Sequence, residues 1–211
     1  LELLYLHKDK LPPDSAKIAA NVEKYRKNQK AWEKDPRNTR SIYGYRIKKD
    51  ADETAVYATA NNPTVAFILG REYVRTIAEH LQQDFPNRLK RLVKAIESKY
   101  SGKAMLDFSE QLSTMKQHLN RPLNFTDIKA GYVLGPSGGA RFLTAYADPK
   151  KHNHRALDYA RASTVAGNPA LFYADPKTKT KPRSVKWLYE HFKSKMGDDQ
   201  LPESLDIAKN E

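Results

Sequence analysis

The 211-residue chain has no cysteine. That excludes disulfides and thiolate-bound metal, and it fits an exported bacterial protein without requiring one. No apolar run approaches the roughly 20 residues that cross a bilayer as a helix, so the sequence does not encode a bundle of membrane helices. Residue 1 is leucine and no signal-peptide pattern is visible, which leads us to expect a processed or trimmed product that has lost any export signal. Acidic residues are scarce: 25 Asp and Glu face 37 Lys and Arg, for a formal charge of +12. Such an excess suits an acidic partner, and nucleic acid, peptidoglycan, teichoic acid and anionic lipid all qualify. Hydrophobic residues make up 39%, enough for a core but a small one for this length.

The stretch from Thr126 to Tyr173 organises the rest. A helical pattern ends at Leu134, and Gly135-Pro136-Ser137-Gly138-Gly139 makes a tight connection, glycine supplying positive φ and proline fixing its own. Ala140, Phe142, Leu143 and Tyr146 then recur at helical spacing, with Asp148-Pro149 as the stop. Asn168-Pro169 starts another turn, and Ala170-Leu171-Phe172-Tyr173 is apolar enough to be pinned to a core. The expectation is a helical corner folded across a glycine hinge.

Upstream, Leu1–Leu6 is mostly apolar, and Pro12-Pro13 breaks the chain. Asp14 or Ser15 can cap a helix from Ala16 to about Trp32, with Ile18, Val22 and Tyr25 as a thin apolar stripe. Ser41–Ile47 fits a short strand or an extended turn. A helix is expected over Asp52–Ala60, and a longer one over Thr64–Gln83 with Val65, Ile68, Leu69, Tyr73 and Ile77 inward and Pro86 as its stop. Asn87–Tyr100 reads as a basic amphipathic helix and Lys103–Leu119 as another. Ala174–Pro182 reads as a polar, basic loop, Ser184–Met196 as the last firm helix and Gly197–Glu211 as a mobile acidic tail.

Several of these segments resemble a family. Thr126–Leu143, with its Thr-Asp start, Leu-Gly-Pro turn and Ala-Arg-Phe-Leu, is similar to the C-terminal part of bacteriophage-type lytic transglycosylases of the lysozyme-like superfamily. Gly167–Tyr173 resembles the family's Asn-Pro-aromatic segment, Lys181–Tyr189 its last helix, and Asn62–Tyr73 an earlier helix, all in the family's order. The resemblance implies a mainly α fold: a lysozyme-like helical domain over residues 41–196, an N-terminal extension over 1–40, and a tail over 197–211. In the family the Asn62-type helix leads almost directly to the Thr-Asp segment. Residues 86–120 therefore read as an inserted helical hairpin, a candidate docking feature.

A lytic transglycosylase needs one carboxylic acid between apolar walls, with its pKa raised so that it can protonate the glycosidic oxygen. The resemblance implies a Glu-Ser pair before Asn62, followed by a Gly-aromatic strand lining the sugar groove. Gln29-Lys30-Ala31-Trp32, followed by Gly44-Tyr45-Arg46-Ile47, sits at that spacing, but Gln29 cannot donate a proton. Glu23 has the right side chain on what reads as a polar helix, and Asp9 follows an apolar stretch between lysines that favour its ionised form. Ile96-Glu97-Ser98 spells the motif in the wrong order along the chain. On the groove side, Lys129 and Tyr132 stand where the family has Tyr and His, ahead of Gly135. Each acid on its own is more commonly a solvated surface residue.

Other candidates fall short. His152-Asn153-His154 is contiguous, unlike the dispersed nuclease motif it spells, and reads as a pair of solvated loop histidines. Residues 135–139 lack the Lys-Ser/Thr of a phosphate-binding loop. The resemblance thus implies a peptidoglycan-associated, non-catalytic domain of an envelope-spanning assembly, in the periplasm, the envelope or a virion, with protein partners and no cofactor or metal. An active transglycosylase is the alternative. Nucleic-acid binding through Arg88, Lys90, Arg91 and Lys94 is another, disfavoured because no aromatics interleave with these bases.

Overall fold

A computed structural model describes residues 1–26 and 43–196. It is mainly helical, with two small two-stranded sheets among the described residues. These residues fall into two compact units divided between Val74 and Arg75.

The first unit begins with helix α1 (Glu2–His7), a 3-10 turn over Lys8–Lys10 and helix α2 (Pro13–Ala19). Strands β1 (Val22–Arg26) and β2 (Tyr43–Ile47) then pair antiparallel, Glu23 opposite Arg46 and Tyr25 opposite Gly44. This corrects the helix expected from Ala16 to Trp32. Ile18, Val22 and Tyr25 have helical spacing, but Val22 and Tyr25 belong to a strand whose ladder is completed by Ile47 and Gly44. A long-range partner is invisible to local periodicity. The border expected at residue 40 falls between these paired strands. Helix α3 (Glu53–Asn61) follows, with the Asp52 carboxylate accepting from the Ala55 N–H at 3.0 Å as its cap. Leu4, Leu11, Ala19, Val22, Val56, Val65 and Leu69 form the core of this unit.

Helix α4 (Pro63–Lys99) is continuous through Pro86. The stop expected at Pro86 is therefore corrected, and residues 86–120 do not begin a separate hairpin at that point. Proline removes one donor and costs about 3 kcal/mol inside a helix. Leu81 and Phe85 before it, and Leu89, Val93 and Ile96 after it, are all buried, and fully burying each such side chain contributes about 1.5–3 kcal/mol. Packing on both sides of Pro86 outweighs the break.

In the second unit, α5 (Lys103–Leu106) and α6 (Ser109–Asn120) replace the single helix expected over Lys103–Leu119. Helices α7 (Phe125–Leu134) and α8 (Pro136–Tyr146) meet at Gly135, which has φ 75° and is both the last cap of one and the first cap of the other. The five-residue connection expected there is a single residue. Gly138 and Gly139 are buried helical positions instead, and a Cβ on Gly139 would lie 2.6 Å from the Gly131 Cα. The glycines serve close crossing of two helices as well as a bend. Short helices α9 (Ala162–Gly167) and α10 (Pro169–Phe172) bury Phe172. The expected loop over Ala174–Pro182 contains a hairpin, β3 (Tyr173–Asp175) with β4 (Thr180–Pro182), its turn braced by the Asp175 carboxylate. Helix α11 (Val185–Met196) closes the described chain, burying Val185, Leu188, Tyr189 and Phe192. The expected acidic tail and Gln29 lie outside the described residues.

Candidate functional site

The most built polar centre lies in the second unit, around Asp127. Asn124 caps α7: its side chain accepts from the Asp127 N–H at 2.9 Å, and the Asp127 carboxylate accepts from the Asn124 N–H at 3.1 Å. The same carboxylate, fully buried, accepts from two Arg121 guanidinium nitrogens at 2.6 and 2.9 Å and from the Tyr189 hydroxyl at 3.3 Å. Four donors on one carboxylate leave little capacity for a substrate. Asp127 is thus a structural anion that ties α7 to α11 and to the segment entering α7.

Histidine and tyrosine rings extend this centre outward. Arg121 Nε donates to His118 Nδ1 at 3.0 Å, so His118 is held neutral with its proton on Nε2. Burial, then the Arg121 charge, lower its pKa from 6.5 to about 4 against the opposing pull of Asp127. The Tyr146 ring stacks on Tyr189 at 3.6 Å and on His152 at 5.4 Å. Its hydroxyl donates to Glu190 at 3.1 Å, and burial followed by the Glu190 charge pushes its pKa up. The expectation that His152 is a solvated loop residue is corrected: the half-buried ring also hydrogen-bonds the Tyr146 carbonyl at 2.8 Å. His154 is exposed, as expected.

The family-derived candidates are placed as follows. Glu23 lies on strand β1, not on a helix, and Arg46 Nε meets its carboxylate at 2.7 Å with the Glu23 side chain 37% exposed. Asp9 is exposed in the 3-10 turn. Glu97 is an exposed partner of Lys116 at 2.8 Å. Gly44 is buried on β2, and Tyr45 beside it packs its ring 5.3 Å from that of Tyr5. Lys129 and Tyr132 are brought together on α7, the ammonium 5.5 Å from the ring centroid and Tyr132 54% exposed. Gly135 lies one residue beyond the end of the same helix. Of the four cations proposed for nucleic acid, Arg88 is engaged by Asp84 at 2.9 Å, while Lys90, Arg91 and Lys94 are exposed on α4.

Sequence reasoning passed over Glu72. Its side chain is 8% exposed and its Oε1 accepts from Arg71 Nη2 at 3.0 Å. The signal was present, because Glu72 continues the buried Val65–Leu69 stripe by three residues. Among the described residues no group of His, Asp and Glu is arranged to hold a metal ion. No helix among them is long and apolar enough to cross a membrane. No family model, curated protein or solved structure matches the chain.

Proposed function

We propose that the chain is a peptidoglycan-associated, transglycosylase-like scaffold without a working proton donor, acting as a wall-binding part of an envelope-spanning assembly such as a secretion apparatus or a virion. The observation that carries this reading is the placement of four acids among the described residues. A donor carboxyl must stand among apolar walls with a free proton. Glu23 is instead paired across a strand ladder to Arg46, Glu72 is engaged by Arg71, Asp127 is saturated and Asp9 is exposed. The bend at Gly135 and the close crossing at Gly131 and Gly139 support the scaffold part of this reading.

Binding is assigned to the exposed face of α7. Tyr132 offers an aromatic face for a sugar ring and Lys129 a cation for an acidic substituent beside it. The excess positive charge adds long-range attraction to an anionic wall. The test is incubation of the purified chain with cell-wall sacculi. Retention on the pellet without release of anhydro-muropeptides supports the reading. Release that disappears in Glu23→Gln, Asp9→Asn or Glu72→Gln would replace it with the active enzyme.

A further inference from the structure

The first unit carries a pocket that the wall reading does not use. It has a volume of about 370 Å³ and is lined by Tyr45, Ile47, Lys48, Lys49, Glu53 and Tyr57, among others. That is within the range of small-ligand sites, roughly 300–1,000 Å³. The segment that supplies Lys48 and Ala51 to the lining is held by backbone: the Lys48 N–H donates to the Asn21 carbonyl at 2.9 Å and the Ala51 N–H to the Lys48 carbonyl at 3.1 Å. Glu53 and Tyr57 stand four residues apart on α3 and so share one face of that helix.

The chemistry of the lining is lopsided. Lys48 and Lys49 are adjacent, exposed and unpaired among the described residues, whereas Arg46 is engaged by Glu23 and by the ring of Tyr25. Both lysines line the pocket, and an ammonium is a compact point charge suited to a tetrahedral dianion. Burial, then the charges of Glu2 and Tyr5, raise the Tyr45 pKa, so its phenol stays a hydrogen-bond donor. Tyr57, 48% exposed, presents a ring and a second hydroxyl. Glu53 is the sole carboxylate in the lining. It repels a bare anion and accepts from a hydroxyl group.

We propose that this pocket binds a small phosphate ester of a polyol, with the phosphate on Lys48 and Lys49 and a hydroxyl of the ligand on Glu53. The inference does not rest on the proposed wall contact, which is assigned to Lys129 and Tyr132 on α7 and not to Lys48, Lys49 or Glu53. Glycerol phosphate, inorganic phosphate and glycerol are the probes, titrated into the full chain at low salt and followed by amide shifts. The expected result is saturable shifts around Lys48 and Lys49 with glycerol phosphate, at least about fivefold weaker binding of inorganic phosphate, and none of glycerol. Lys48→Ala with Lys49→Ala weakens glycerol phosphate at least about tenfold, the loss of charge-assisted hydrogen bonds. Glu53→Gln abolishes the preference for the ester over inorganic phosphate. All three side chains are exposed, so an unchanged thermal midpoint verifies the fold of each variant. Equal binding of glycerol, equal binding of phosphate by the unaltered chain, an indifferent double variant or no saturation overturns the proposal.

Discussion

Arg121 and Asp127 form a two-pronged ion pair in which guanidinium nitrogens sit 2.6 and 2.9 Å from the two carboxylate oxygens. Removing Arg121 strands a fully buried carboxylate. Arg121→Ala is expected to destabilise the second unit by about 3–5 kcal/mol, measured by urea unfolding. Arg121→Lys recovers only part, because an ammonium cannot bridge both oxygens. The double variant Arg121→Ala with Asp127→Ala should cost less than the sum of the single losses, since no orphaned charge remains. Strict additivity would mean that the two residues act independently.

The glycines make graded predictions. A Cβ on Gly139 would lie 2.6 Å from the Gly131 Cα and 2.9 Å from its nitrogen, backbone atoms that cannot move aside alone. Gly139→Ala therefore costs more than about 2 kcal/mol. Gly131→Ala meets Ile77 Cγ2 at 2.5 Å and Leu81 Cδ1 at 2.9 Å, both side-chain ends, and costs less. Gly70 on α4 has nothing within 4 Å of the added methyl. Gly70→Ala should stabilise by about 0.5–1 kcal/mol through helix propensity. Thermal midpoints should rank Gly70→Ala above the unaltered chain, then Gly131→Ala, then Gly139→Ala.

His118 gives the pH dependence. Its pKa falls from 6.5 to about 4 on folding, so between these values the unfolded chain binds the extra proton. Its contribution is fully present above pH 6.5 and lost as the pH drops toward 4. Allowing for its partial exposure, the loss is on the order of 1–2 kcal/mol. His118→Gln should flatten this limb of a stability–pH curve, and an unchanged slope would assign the proton uptake elsewhere.

Local signals carried much of the helical layout. The helix opening at Asp52, the apolar stripe of α4 and the last helix depend on near neighbours, so local patterns find them. The failures share a cause, which is distance along the chain. Strand β1 depends on residues 43–47, and helix α4 survives Pro86 through buried faces on either side. The polar centre was half legible. Thr126-Asp127 stood out as a motif, yet its carboxylate is claimed by Arg121 six residues before it and Tyr189 far beyond it. Spacing alone cannot tell a saturated acid from an available one.

The proposed wall binding is separable from general attraction between a basic chain and a polyanion by the residues it needs. Screened charge contacts weaken in proportion to the cations removed, and they fade as salt rises past the point where the Debye length nears 8 Å. Replacing Lys90, Arg91 and Lys94 with Gln should therefore reduce sacculus retention mainly at low ionic strength. A stacked sugar is less sensitive to salt. Tyr132→Ala removes a ring that is 54% exposed, so it should shift the thermal midpoint little. It should nonetheless lower retention about five- to tenfold at physiological salt, equivalent to about 1–1.4 kcal/mol. Lys129→Ala should act on the same face with a smaller effect and a stronger salt dependence. If the three-cation variant alone abolishes retention and Tyr132→Ala is silent, the contact is electrostatic and α7 is not the binding face.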